Sequence, residues 1–81
     1  MAGNIINVSD VQLAIIDLAS RADDVVQRLH EAKHQADGDR REDIEHAADG
    51  VAAAWADLVQ TATSLYQAGI GAPVLLAAVK A

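Results

Sequence analysis

The segment His30-Glu31-Ala32-Lys33-His34 has the residue types and the spacing of a zinc-dependent peptidase motif. In that motif two imidazoles one helical turn apart bind a metal ion, and the glutamate activates a metal-bound water molecule. The apolar pattern around the segment places both histidines on the solvent side of a helix, and a chain of 81 residues leaves no room for a peptidase cleft. We therefore interpret the match as a coincidence on a helix surface, and we predict no enzyme and no catalytic residue.

A second metal pattern overlaps the first. Glu31 and His34 have the spacing that carboxylate-bridged di-iron bundles use on helices that face the core. Further ligands would have to come from across a turn: Glu42, Glu45 and His46. Because all of these side chains would point outward, the sequence predicts no resident metal ion and no cofactor. A metal-binding helical bundle that uses His30, Glu31 and His34 stays as the third hypothesis for function.

The composition limits the classes of protein to which this chain can belong. With 81 residues it forms one domain at most, and without cysteine it has neither disulfides nor thiolate ligands. A small core of this kind needs a supplement, such as oligomerisation or very regular helix packing. The net charge of −6 opposes binding to phosphate backbones and to anionic lipid headgroups, so we expect no nucleic-acid partner.

The chain shows no targeting or membrane-spanning pattern. Met1-Ala2-Gly3-Asn4 has neither a basic nor an apolar region of a signal peptide, so we expect a cytoplasmic protein, with export by a pathway that accepts folded proteins left open. Residues 58–79 carry no formal charge, but polar side chains, glycines and Pro73 interrupt them. We therefore expect no membrane span.

Capping and periodicity signals predict a first helix over residues 10–36. Ser9 suits an N-cap, because its hydroxyl can accept from the amide three residues on while the Gln12 side chain reaches back. Apolar residues then recur at alternating spacings of four and three, which is the pattern of a heptad seam that packs against another helix. These residues are Val11, Ile15, Leu18, Ala22, Val25, Leu29, Ala32 and Ala36.

A tight turn precedes a second helix, which is predicted over residues 40–68. Asp37-Gly38 supplies a glycine able to adopt positive φ, and Asp39 with Glu42 resembles a second capping pair. Gly69 is a natural stop for the helix. The apolar stripe in between consists of Ile44, Ala48, Val51, Trp55, Leu58, Ala62 and Leu65. So short a link predicts that the two helices are antiparallel neighbours.

Gly50 lies inside the predicted second helix. A glycine there costs about 1 kcal/mol of stability relative to alanine. We expect either that another backbone approaches the helix at this point or that the helix bends.

Shorter segments flank the two helices. Ile5, Ile6 and Val8 are β-branched and precede any helical period, so residues 1–8 are predicted to form an extended arm. Residues 70–81 form an apolar tail, in which Pro73 suits the start of a short helix while the length also permits a strand. The predicted fold is all-α: one domain over residues 1–81, an antiparallel two-helix hairpin with a short C-terminal apolar segment, assembling into a helical bundle.

The layout of the chain resembles that of the Trp-X-Gly family of helical hairpins, which type VII secretion exports. The resemblance lies in a short extended start, a capped helix, a turn and a second helix in a small acidic chain without a signal peptide. Members of that family carry Trp-X-Gly in the turn and Tyr-x-x-x-acid after the second helix. Here the turn is Asp37-Gly38-Asp39, and Ile70 lies four residues after Tyr66. The chain lacks both motifs, and we assign it to no family.

The apolar surface of the predicted helices is too wide for one hairpin to cover. Burial stabilises a protein by about 25 cal/mol per Å² of apolar surface, so leaving several side chains exposed would forfeit several kcal/mol. We therefore predict a homo-oligomer, most simply an antiparallel four-helix dimer, with a non-enzymatic structural or assembly function. The predicted interface residues are Val11, Ile15, Leu18, Val25, Leu29, Ile44, Val51, Trp55, Leu58 and Leu65 on the helices, and Val74, Leu75 and Leu76 in the tail.

A second hypothesis is an exported or inhibitory binding module that pairs with a different protein. An acidic face would complement a basic partner. Its residues are Asp23, Asp24, Glu31, Asp37 and Asp39. A compact, self-assembled species of the purified chain would favour the first hypothesis, whereas a molten chain rescued by a co-expressed neighbour would favour the second.

Overall fold

Two helices account for most of the residues that the computed structural model describes, which are residues 6–74. Helix α1 spans Val8–His34 and helix α2 spans Gly38–Gln67. The link between them is so short that they fold back on each other, and they pack along their length. This confirms the predicted all-α antiparallel hairpin.

Helix α1 begins two residues earlier than predicted, because its N-cap is Asn7 and not Ser9. The Asn7 Oδ1 atom accepts a hydrogen bond from the backbone N–H of Ser9 at 2.9 Å. The Asn7 carbonyl also accepts from the backbone N–H of Asp10 at 3.0 Å. Asparagine is among the best N-cap residues because its side-chain oxygen satisfies a free N–H of the first turn. The predicted capping box of Ser9 and Gln12 is therefore wrong.

The turn between the helices also lies two residues earlier than predicted. Helix α1 ends at His34, so the last turn carries Lys33 and His34 at the negative end of the helix dipole. The N-cap of α2 is Asp37 and not Asp39, and its side chain makes no capping hydrogen bond. Gly38 has φ of 63°, as predicted for the glycine of the turn.

Helix α2 ends in a Schellman motif at the predicted glycine. Gly69 has φ of 85°, and its N–H donates to the Tyr66 carbonyl at 2.9 Å. The Ile70 N–H donates to the Leu65 carbonyl, also at 2.9 Å. These are the two bonds that satisfy free carbonyls at a helix end of this type. Residues 70–74 continue without helix, and the predictions for residues 1–5 and 75–81 lie outside the described residues.

Small side chains fill the space between the helices. The buried apolar residues of the described part are Ala19, Ala48 and Ala62, and the fourth buried residue is Gln12. Alanine at a helix–helix contact lets the two backbones approach closely. The Cα trace measures 56 × 32 × 14 Å, so the hairpin is one helix layer thick.

The packing register of α1 differs from the predicted seam by one residue. Val11, Leu18 and Val25 were predicted to lie between the helices, but they are 44%, 51% and 42% exposed. Gln12 and Ala19 occupy that place instead and are fully buried. Within one chain, the predicted position of the three large residues is therefore wrong. Their role as an interface between chains stays a prediction.

Candidate protein-docking face

One broad side of the hairpin is apolar, and its α1 residues follow from how α1 packs on α2. The line of α1 that faces α2 runs through Gln12 and Ala19, which are seven residues apart. About 60° around the helix lie half-buried residues: Ile15, Ala22 and Leu29. About 100° around lie exposed residues: Val11, Leu18 and Val25.

Helix α2 repeats this arrangement. The line that faces α1 runs through Ala48 and Ala62. The half-buried neighbours are Ile44, Val51, Leu58 and Leu65, and the exposed ones beyond them are Ala47, Ala54 and Thr61. Both helices rotate in the same sense away from the contact, and on antiparallel helices this places the residues on the same side of the hairpin.

We call this side the apolar face. It comprises Val11, Ile15, Leu18, Ala22, Val25, Leu29, Ile44, Ala47, Val51, Ala54, Leu58, Thr61 and Leu65. None of these side chains is charged. A contiguous exposed apolar surface is a typical mark of a protein interaction site. The apolar face is therefore the candidate functional site.

The opposite side, which we call the polar face, has a different composition. It carries Asp23, Gln27, His30 and His34 of α1 and Glu42, Glu45 and Asp49 of α2. Apolar side chains also lie there: Leu13 and Tyr66 are 47% and 44% exposed, and Ile16 and Val59 are half-buried. The two sides of the same hairpin thus differ in charge, and the uncharged side is the candidate for docking.

Charged residues border the apolar face at the outer edges of the helices. Arg21 and Arg28 lie on the α1 edge, and Asp43 and Asp57 lie on the α2 edge. Arg21 forms an ion pair with Asp17 at 3.1 Å, and Arg28 forms one with Asp24 at 2.9 Å. All four side chains are more than half exposed, and such pairs contribute little to stability, so the arginines can exchange partners at low cost.

At the open end of the hairpin, the Gln12 side chain joins α1, α2 and the segment after α2. Its Nε2 donates to the Ala62 carbonyl at 3.1 Å and to the Ala72 carbonyl at 2.8 Å. Its Oε1 accepts from the Ala72 N–H at 3.0 Å. The carboxamide therefore pairs with the Ala72 peptide as a neighbouring strand would. The described part of the predicted tail packs against its own chain.

Gly71 makes this pairing possible. Its φ is 86°, in the left-handed region that favours glycine. A Cβ atom built at this position would overlap the Gln12 side chain. Sequence analysis missed the roles of both residues. The available signal was that Gln12 lies at the seven-residue spacing of Ala19 and Val26, where a buried polar group must find partners.

The remaining predicted interface residues have different positions. Trp55 is half-buried, and its indole Nε1 is buried without a hydrogen-bond partner in the part of the chain that the structure describes. Val74 is half-buried beyond the Gln12 junction. Leu75 and Leu76 lie outside the described residues.

The histidine motif lies away from the apolar face. His30, Glu31 and His34 are all exposed, and Glu45 pairs with Lys33 at 3.2 Å. Within residues 6–74, no three histidine, aspartate or glutamate side chains are grouped so that they could hold one metal ion. The candidate ligands of the third hypothesis are therefore not grouped into a metal site in the described part of the chain.

Comparison of the chain with family models, with curated proteins and with solved structures finds no significant match. Neither described helix is long and apolar enough to cross a membrane.

Proposed function

We propose that this protein is a non-enzymatic assembly protein that acts by docking its apolar face against a second hairpin, first of all a second copy of itself. The observation that carries the proposal is the contrast between the two sides of the hairpin. One side presents Val11, Leu18 and Val25, each more than two-fifths exposed, among uncharged neighbours.

The energetics of a single layer support this proposal. Within the described residues only four side chains are buried, and three of them are alanines, which offer little apolar area. Burial of a valine or leucine side chain is worth about 1.5–3 kcal/mol. A second layer over the apolar face would bury several such residues. The summed free energy of their burial is comparable with the whole stability of a small domain.

The test is the native mass of the purified chain and of two matched variants. Leu18→Glu places a charge on the apolar face, and we expect it to shift the protein to the mass of one chain in sedimentation velocity. Leu13→Glu is the control, because Leu13 is a similarly exposed leucine of the same helix on the polar face. It should leave the assembly unchanged.

Both substituted residues are exposed in one chain, so the helix content by circular dichroism should stay the same in both variants. A wild-type chain that is a folded monomer at about 100 µM, a concentration at which even a micromolar dimer would be largely associated, would contradict the proposal. A molten wild-type chain that folds only with another protein would instead favour the binding-module hypothesis.

A further inference from the structure

Nothing in residues 6–74 of the same chain explains why a glycine occupies position 50. Glycine weakens the interior of a helix, and Gly50 lies in the middle of α2 without positive φ. A Cβ built on Gly50 would meet nothing within 4 Å. The close backbone approach that the sequence suggested is therefore not made by the described part of the same chain. Gly50 lies at the outer edge of the apolar face, three residues after Ala47.

We propose that Gly50 forms the floor of a recess that receives Val25 of a second copy, in a dimer in which α1 of each copy packs on α2 of the other. This inference rests on the proposed self-association. Residues at i, i+3, i+4 and i+7 form the hole into which a side chain of a facing helix inserts. Here these are Ala47, Gly50, Val51 and Ala54. Three of the four are small, so the hole is deep enough for a branched side chain.

Val25 lies at the same height along the hairpin axis as this hole. Gln12 bonds to Ala62 at the open end, and Lys33 pairs with Glu45 near the turn. Interpolation between these two contacts places Val25 level with Val51. A twofold axis that runs along the hairpin, between two facing apolar faces, keeps every residue at its own level. Val25 of one copy then lies opposite Gly50 and Val51 of the other.

The charges at the edges select this arrangement. The same interpolation places Arg21, on the edge of α1, level with residues 54–55 of α2. Asp57 lies less than one turn from that level on the edge of α2, so Arg21 of each copy comes within side-chain reach of Asp57 of the other. The alternative face-to-face dimer, in which α1 lies on α1, would set the arginine edges of the two copies against each other. The attraction between arginine and aspartate favours the first arrangement, and the repulsion between arginines opposes the second.

The first experiment tests the recess by sedimentation equilibrium. Gly50→Leu fills it, and we expect self-association to weaken by about a hundredfold or more, because an overfilled contact must open. The control Ala56→Leu adds a similar side chain to an exposed position of the same helix on the polar face, and should leave the dissociation constant unchanged. Equal affinities of the two variants would overturn the inference.

The second experiment tests the charge pair. Arg21→Glu should weaken self-association on the order of tenfold, and combining it with Asp57→Arg should restore the wild-type affinity. Arg28→Glu is the matched control, since it also breaks an exposed ion pair to an aspartate one turn earlier. At its own level the second copy's edge carries Gly50, and the carboxylate of Asp43 on that edge lies more than one and a half turns away.

The outcomes separate the two proposals. A dimer that weakens equally with Arg21→Glu and Arg28→Glu, or that the double variant does not restore, overturns the arrangement and leaves self-association standing. A wild-type monomer overturns both.

Discussion

At the scale of single residues, the side chain of Gln12 connects three segments: α1, α2 and the segment after α2. It is fully buried, and a buried carboxamide is costly unless its donors and its acceptor are bonded. Here both Nε2 hydrogens and Oε1 find backbone partners. The partners are peptide groups of α2 and of the segment that follows it, so the hydrogen bonds fix where that segment returns along the hairpin.

Two glycines make it possible to measure the Gln12 junction separately from backbone strain. Gly69 and Gly71 have nearly equal φ, 85° and 86°, but only at Gly71 would a Cβ meet Gln12. Gly69→Ala should cost about 1–2 kcal/mol for the left-handed conformation alone. Gly71→Ala should cost about 1–3 kcal/mol more, because it also displaces buried hydrogen bonds. Urea denaturation followed by the fluorescence of Trp55 would measure both.

The control is a double-variant cycle. In a Gln12→Ala background the overlap is gone, so Gly71→Ala should cost no more than Gly69→Ala does. Equal costs of the two glycine substitutions in the wild-type background would show that the Gln12 contact does not constrain Gly71.

At the scale of the elements, the helix ends follow from local chemistry. Asn7 caps α1 through its side chain, and Gly69 closes α2 through a Schellman motif. Asp37 precedes α2 without a capping bond from its side chain, and Gly38 then makes the reversal with positive φ. Side chains and glycines within a few residues of each end thus set the helix lengths.

Replacing the two candidate caps of α1 distinguishes them. Asn7→Ala removes the hydrogen bond to the Ser9 N–H and should destabilise the hairpin by about 0.5–2 kcal/mol. Ser9→Ala changes a side chain inside the first turn and should cost less than about 0.5 kcal/mol. Thermal unfolding by circular dichroism measures both. A larger loss for Ser9→Ala would restore Ser9 as the cap.

The sequence predicted the hairpin well, because Gly38, Gly69 and the apolar periodicity are local signals. It did not predict which line of α1 faces α2. The periodic pattern emphasised Val11, Leu18 and Val25, whereas the buried line contains Gln12 and Ala19.

A helix face is predicted from its apolar residues, and the buried line of α1 contains a glutamine, so the pattern did not indicate it. The structure places that line between the helices because a small alanine permits close approach and because the glutamine finds backbone partners. The apolar face follows from the same register, so the sequence predicted most of its residues but not their exposure within one chain.

At the scale of the whole molecule, the hairpin is a single layer of two helices, 14 Å thick across its Cα atoms. Stable domains are built from at least two packed layers around a core. One layer can bury only what lies along the line between its helices, which here is mainly alanine. The apolar face is the surface on which a second layer would complete such a core.

Thermal stability should therefore depend on protein concentration. If the native state is a dimer, raising the concentration from about 2 to about 200 µM should raise Tm by several degrees, because mass action favours the associated state. Leu18→Glu should remove the dependence. Scanning calorimetry at both concentrations would check this, and a wild-type Tm that does not change with concentration would contradict a dimer.

The hydrogen bonds of the Gln12 carboxamide determine how the open end of the hairpin unfolds locally. Its bonds hold the first turns of α1, the last turns of α2 and Ala72 at one point. If any one of these segments detaches, the Gln12 carboxamide stays buried with an unpaired donor or acceptor. That cost raises the free energy of partly opened states. Fraying of the first turns of α1 and of the last turns of α2 should thus be a single cooperative event, and amide protons on either side of the junction should exchange with solvent at matching rates.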